Sequence, residues 1–120
     1  MHQIVCVKNR ENKYYYIVGT EILHREDGPA VIWEDGRKEW YMNGTLHRVG
    51  GPAVETEHGG KFWIFYNKIH RVDGPAVISR DGELSWYLND IYFKTKEIWF
   101  EALTEEQKEK ALYSEYFMRG

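Results

Sequence analysis

The sequence predicts a mainly β protein: an antiparallel meander of 23-residue β-hairpin repeats forming an elongated single-layer sheet, closed by a C-terminal helical cap. Three observations predict it. His24, His47 and His70 stand 23 residues apart, as do Pro29, Pro52 and Pro75, and Trp40, Trp63 and Trp86. A fixed period shared by so many residue types marks a repeat architecture. Asp35-Gly36, His58-Gly59 and Asp81-Gly82 each lie between short β-type segments, where glycine supplies the positive φ of a tight hairpin loop. From about Thr95 the apolar spacing becomes helical.

The length fits one domain, read as an N-terminal hairpin over 1–18, repeats over 19–94 and helices over 95–118. The hairpin pairs 2–7 with 13–18 around Lys8-Asn9-Arg10-Glu11-Asn12. Within a repeat, a two-residue loop at Asp35-Gly36 sets Val31 opposite Trp40 and Ile32 opposite Glu39. A second turn at Asn43-Gly44 sets Trp40 opposite His47; its later copies, Tyr66-Asn67 and Asn89-Asp90, are weaker turn signals, although Asn tolerates the left-handed conformation. Side chains alternate along a strand. The expected faces are therefore Val31, Trp40 and His47 on one side, with Val54–Trp63–His70 and Val77–Trp86–Phe93 as copies, and Tyr41, Phe62, Ile64 and Tyr87 on the other.

The proline after each His-Arg has no N–H to donate and suits a strand start. At the far end Phe93 and Lys94 replace the His-Arg pair. Trp99, Phe100 and Leu103 suit a short helix. Thr104-Glu105-Glu106-Gln107 has the form of a capping box, followed by a stripe of Leu112, Tyr113, Tyr116 and Phe117. This tail is expected to cover the open sheet edge or part of one face, since a bare edge strand invites aggregation.

Charge narrows the function classes. The net charge is −3 and no Lys/Arg run occurs, so the electrostatic footprint of nucleic-acid polymers and of anionic membranes is missing. Cys6 is the single cysteine, which fits a reducing compartment. The N-terminal dozen residues do not read as a signal peptide, and the expected location is the cytoplasm.

The His-Arg sites invite two chemical readings. Three histidines in a metal site fail on spacing: strands lie about 4.8 Å apart, so equivalents two strands away sit about 9–10 Å from one another, too far to share an ion bound at about 2.0–2.1 Å. His24, His47 and His70 are expected to pack beside Trp40, Trp63 and Trp86 with ring nitrogens bonded to loop backbone. No metal or cofactor is expected. His-Arg-x-Asp as catalytic machinery is the other reading. Against it, the turn itself repeats, so an Arg–Asp pair or an Asp carboxylate bonded to turn amides accounts for the repetition. Cys6 is expected as a buried thiol, and Ser79, Ser85 and Ser114 have no evident base. The pairs Gly50-Gly51 and Gly59-Gly60 do not open a helix as a phosphate loop does.

The frame W-Y-x-N-G-x-x-H-R-x-D-G-P-A-V is carried by Trp40-Tyr41, Asn43-Gly44, His47-Arg48 and Gly51-Pro52-Ala53-Val54, with matching copies at His24-Arg25…Val31 and His70-Arg71…Val77. It resembles the MORN repeat, and more closely the H-R-x-D-G-P-A variant found in proteins of tailed bacteriophages and large DNA viruses. The resemblance covers about residues 15 to 93. Departures are Gly50 in place of Asp, Ile64-Phe65-Tyr66 in the third Trp segment, and Phe93-Lys94. It implies an elongated sheet used as a binding scaffold, with no shared enzymatic activity, and a small phage accessory protein acting in a bacterial host.

The functional expectation is a non-enzymatic interaction module that binds and inhibits or redirects a host protein, for instance one of antiviral defence. Tyr41, Phe62, Ile64 and Tyr87 are the candidate partner contacts, unless the tail or a second copy buries them. One alternative is a sequestering protein for a small nucleotide, stacking bases on aromatics with Arg25, Arg48 and Arg71 meeting phosphates. A hydrolase or transferase is the second alternative. A homo-oligomer is compatible with either binding reading.

Overall fold

The structure, a computed structural model, describes residues 2–117. The chain opens with the hairpin β1 (Ile4–Asn9) and β2 (Asn12–Ile17), joined at Arg10-Glu11, so its strands run further than the sequence suggests. Paired short strands follow in each repeat: β3 (Val31–Ile32) and β4 (Lys38–Glu39), then β5 (Tyr41–Met42) and β6 (Thr45–Leu46). The next unit supplies β7 (Val54–Glu55), β8 (Lys61–Phe62), β9 (Ile64–Phe65) and β10 (Lys68–Ile69). The last supplies β11 (Val77–Ile78), β12 (Leu84–Leu88) and β13 (Ile91–Phe93). One hairpin of each unit joins a nine-stranded antiparallel sheet, β1-β2-β3-β4-β7-β8-β11-β12-β13. The ribbons β5-β6 and β9-β10 form a second column beside it, and the long β12 merges the columns at the end.

The chain is elongated, 48 × 31 × 22 Å, with a radius of gyration of 16.1 Å, against about 14 Å for a compact chain of this length. A single layer growing in one direction accounts for that. No helix among the described residues is long and apolar enough to cross a membrane.

The two turns of a unit differ in kind. At Asn43-Gly44, Tyr66-Asn67 and Asn89-Asp90 both central residues have positive φ, the two-residue loop whose twist matches paired strands. The turn at Gly36 is longer than expected. Trp33 N–H donates to Arg37 O and Gly36 N–H to Trp33 O, both at 2.9 Å, and only Gly36 has positive φ. This is a three-residue loop, repeated at Gly59 and Gly82. The extra residue slips the register by one: Val31 faces Glu39, Val54 faces Phe62 and Val77 faces Ser85. A one-residue slip moves side chains to the other face. The valines thus share a face with Phe62 rather than with Trp40. The Trp40–His47 and Trp63–His70 pairings stand as expected, each with the His N–H donating to the Trp carbonyl at 3.0 Å.

The cap consists of α1 (Lys96–Glu101), capped by Thr95, and α2 (Glu105–Leu112), whose Thr104 and Gln107 form the expected capping box. Trp99 is fully buried, with its ring 4.7 Å from that of Trp86, and its Nε1 donates to Arg71 O at 3.2 Å. Leu88, Leu103 and Ala111 complete this core, flanked by Val72, Phe93, Tyr116 and Phe117. The expected apolar stripe is corrected in part. The helix ends at Leu112, so Leu112 and Tyr113 are exposed while the following turn brings Tyr116 and Phe117 inward. Cys6 is exposed, not buried, because β1 is an edge strand of a single layer.

Candidate functional site

Each His-Arg pair does the same two things. The histidine Nδ1 accepts from a backbone N–H in the tight turn 19 residues further on: His24 from Asn43 at 2.8 Å, His47 from Tyr66 at 2.9 Å and His70 from Asn89 at 3.0 Å. With Nδ1 accepting, Nε2 carries the proton, and in the first unit it lies 3.1 Å from Glu26 Oε2. Burial pushes the His47 and His70 imidazoles below their ordinary value, which favours this neutral form.

The arginine lies over an aromatic ring. Arg25 covers Tyr15 at 3.9 Å, Arg48 covers Trp40 at 4.0 Å and Arg71 covers Trp63 at 3.9 Å. Its Nη1 donates to the carbonyl of Pro29, Pro52 or Pro75 at 3.0–3.1 Å. Nε of Arg25 and of Arg71 donates to Asp27 and Asp73, at 3.1 and 2.9 Å. The glycines at 28, 51 and 74 make room, since a β-carbon there lies 2.8–2.9 Å from the guanidinium carbon. The last unit has Lys94 instead of arginine, and Trp99 lies against the Trp86 ring.

Tyr41, Ile64 and Tyr87 occupy equivalent positions in the second column, opposite Leu46, Ile69 and Tyr92 respectively. All three are half-buried, while Tyr92 is 57% exposed. Phe62 is apart from them, in the nine-stranded sheet between Val54 and Val77. Tyr41 belongs to a polar network of the first unit. The buried Glu39 carboxylate accepts from Trp33 Nε1 at 3.1 Å, Arg37 Nε at 2.9 Å and Tyr41 Oη at 3.3 Å. Burial, then the Glu39 charge, pushes the Tyr41 phenol above its ordinary value.

The opposite face holds apolar residues that the sequence reading did not single out. A groove of about 590 Å³ is lined by Arg48, Val49, Gly50, Trp63, Phe65 and His70, and bounded by Gln107 and Lys110 of α2. Val49 is 77% exposed, and Phe65 and the neighbouring Tyr66 are also exposed. The available signal was the variable position after each His-Arg, which reads Glu26, Val49 and Val72. No protein-family model, curated protein or solved structure matches the chain.

Proposed function

We propose that this protein is a non-enzymatic interaction module whose repeats build a scaffold and whose leftover apolar side chains contact a partner protein. The observation that carries the reading is the commitment of the repeated His-Arg groups. Each imidazole that would be the natural catalytic candidate accepts from a backbone N–H, and each guanidinium donates to a proline carbonyl and lies over an aromatic ring. A general base needs a free lone pair within reach of substrate, and these Nδ1 atoms already accept. The row of Tyr41, Ile64 and Tyr87 with its cross-strand partners offers amphipathic side chains of the kind enriched in interfaces. The repeat's likeness to those of bacteriophage proteins makes a bacterial host protein the expected partner, met in the cytoplasm.

The test is affinity capture from a bacterial lysate with the wild-type chain, Tyr87→Ala, and Tyr92→Ser. Loss of the captured protein in both variants, with thermal melts close to wild type, supports the reading. Turnover in a broad activity screen that disappears in His47→Ala but survives Tyr92→Ser overturns it.

A further inference from the structure

We infer that the groove between the Arg48 loop and α2 is the docking site for an acidic segment of another protein, one that places a carboxylate on Arg48 and an adjacent apolar side chain over Val49 and Phe65. This rests on the interaction reading and adds to it a contact site on the face opposite the row of Tyr41, Ile64 and Tyr87. Four observations point to the groove. First, Gly50 replaces the aspartate of the other units. Among the described residues the Nε of Arg48 therefore has no carboxylate partner, whereas Asp27 and Asp73 bond Arg25 and Arg71. Its nearest anion is Glu55, 3.5 Å from Nη1. Second, the loop differs in backbone: Gly50 has φ 85°, and neither Asp27 nor Asp73 has positive φ. Third, Val49 stands 77% exposed where its counterpart Val72 packs against the helical core. Fourth, the groove continues the surface covered by the cap, and α2 forms its wall.

Charge chooses the occupant. The lining holds Arg48, Arg71 and Lys110 against one carboxylate, Asp73, which is already paired with Arg71. A partner carboxylate supplies the bond that Gly50 omits, and charge-assisted bonds to guanidinium are the stronger kind. The neighbouring groove beside Trp40 shares Arg48 and Val49 but carries Glu26 and Asp27 where this one has Val49 and Gly50, so its two arginines are balanced by two carboxylates and it attracts the same segment less.

The experiment selects peptides from a displayed random twelve-residue library on the full chain, then measures binding to wild type, Val49→Glu, Lys110→Glu and Tyr87→Ala. Glutamate at position 49 reproduces what the first unit carries at Glu26, so the fold tolerates it; Lys110 is an exposed helix residue. Enriched peptides are expected to pair an acidic with an aromatic or aliphatic residue. Their affinity should fall about tenfold in Val49→Glu and about threefold in Lys110→Glu. No enrichment, enrichment without acidic residues, or equal binding to both variants overturns the site. Peptides lost in Tyr87→Ala but kept in Val49→Glu leave the interaction reading standing and remove this groove. A wild-type dimer in sedimentation that Val49→Glu dissociates makes a second copy the occupant. Displacement of bound peptide by millimolar inorganic phosphate, with saturable phosphate binding of its own, makes the site a phosphate site. Each of these last two results overturns the assignment to an acidic protein segment.

Discussion

A β-carbon built on Gly51 lies 2.8 Å from Cζ of Arg48, and Gly51 has no positive φ. Its reason for being glycine is therefore space alone. Gly51→Ala has to push Arg48 off Trp40 and off the Pro52 carbonyl, a loss of about 1–3 kcal/mol. In an Arg48→Ala background the same change should cost far less, so a double-mutant cycle in urea reads the coupling directly; additive effects contradict the account. His47 gives a pH prediction. Its folded-state pKa is depressed by burial below the ordinary 6.5, so the unfolded chain binds a proton first as pH falls. The stability it contributes is complete above that value and is lost as pH drops toward the folded value. Urea midpoints should decline from pH 7.5 to pH 5.5, more steeply in wild type than in His47→Ala; parallel slopes contradict it. The backbone bond of each histidine ring was legible in the sequence, but its packing beside Trp was not: the arginines take the faces of Trp40 and Trp63, and the His47 ring lies against Phe65 and Tyr66. The missing carboxylate at Gly50 was legible as a departure from the frame, but whether each Asp bonds the arginine or the turn amides was open, so the free edge of Arg48 follows only once Arg25 and Arg71 are seen paired.

Hairpin loops decide the register, and here the sequence was ambiguous for a physical reason. Asp-Gly serves a two-residue loop only if both residues take positive φ. In the first repeat Asp35 does not; its Oδ1 accepts from Arg37 N–H at 2.9 Å, which favours the three-residue loop with Gly36 alone left-handed. The face of Val31 followed from that one residue, and the face of Phe62 from the same three-residue loop repeated at Gly59. Nothing lies within 4 Å of a β-carbon at Gly36, so Gly36→Ala tests backbone strain without crowding. It should cost about 1–2 kcal/mol, with Gly36→Asn clearly milder in the same thermal melts; equal losses contradict a left-handed requirement. The helices were easier to read, because a capping box is a local pattern. Thr104→Ala removes the acceptor for Gln107 N–H and should lower stability by about 1 kcal/mol.

The molecule as a whole is a row of units that each touch only their neighbours, so a local injury should stay local. The cap is the place to test this. Trp99 is buried against Trp86 and holds the Arg71 carbonyl; Trp99→Ala leaves both uncovered, a loss of about 3–5 kcal/mol at that end. In a compact globule the loss would lower protection everywhere. In this elongated chain hydrogen exchange should quicken strongly in β11–β13, less in β7–β8, and least in β1–β2, whose pairing lies at the far end of the sheet. The loss should also free Val72, Leu88 and Phe93, apolar groups next to an edge strand, and so promote self-association at raised concentration. Faster exchange spread evenly over every strand means that the repeats fold as one cooperative block and that the cap stabilises all of them, so the nearest-neighbour description would then be wrong.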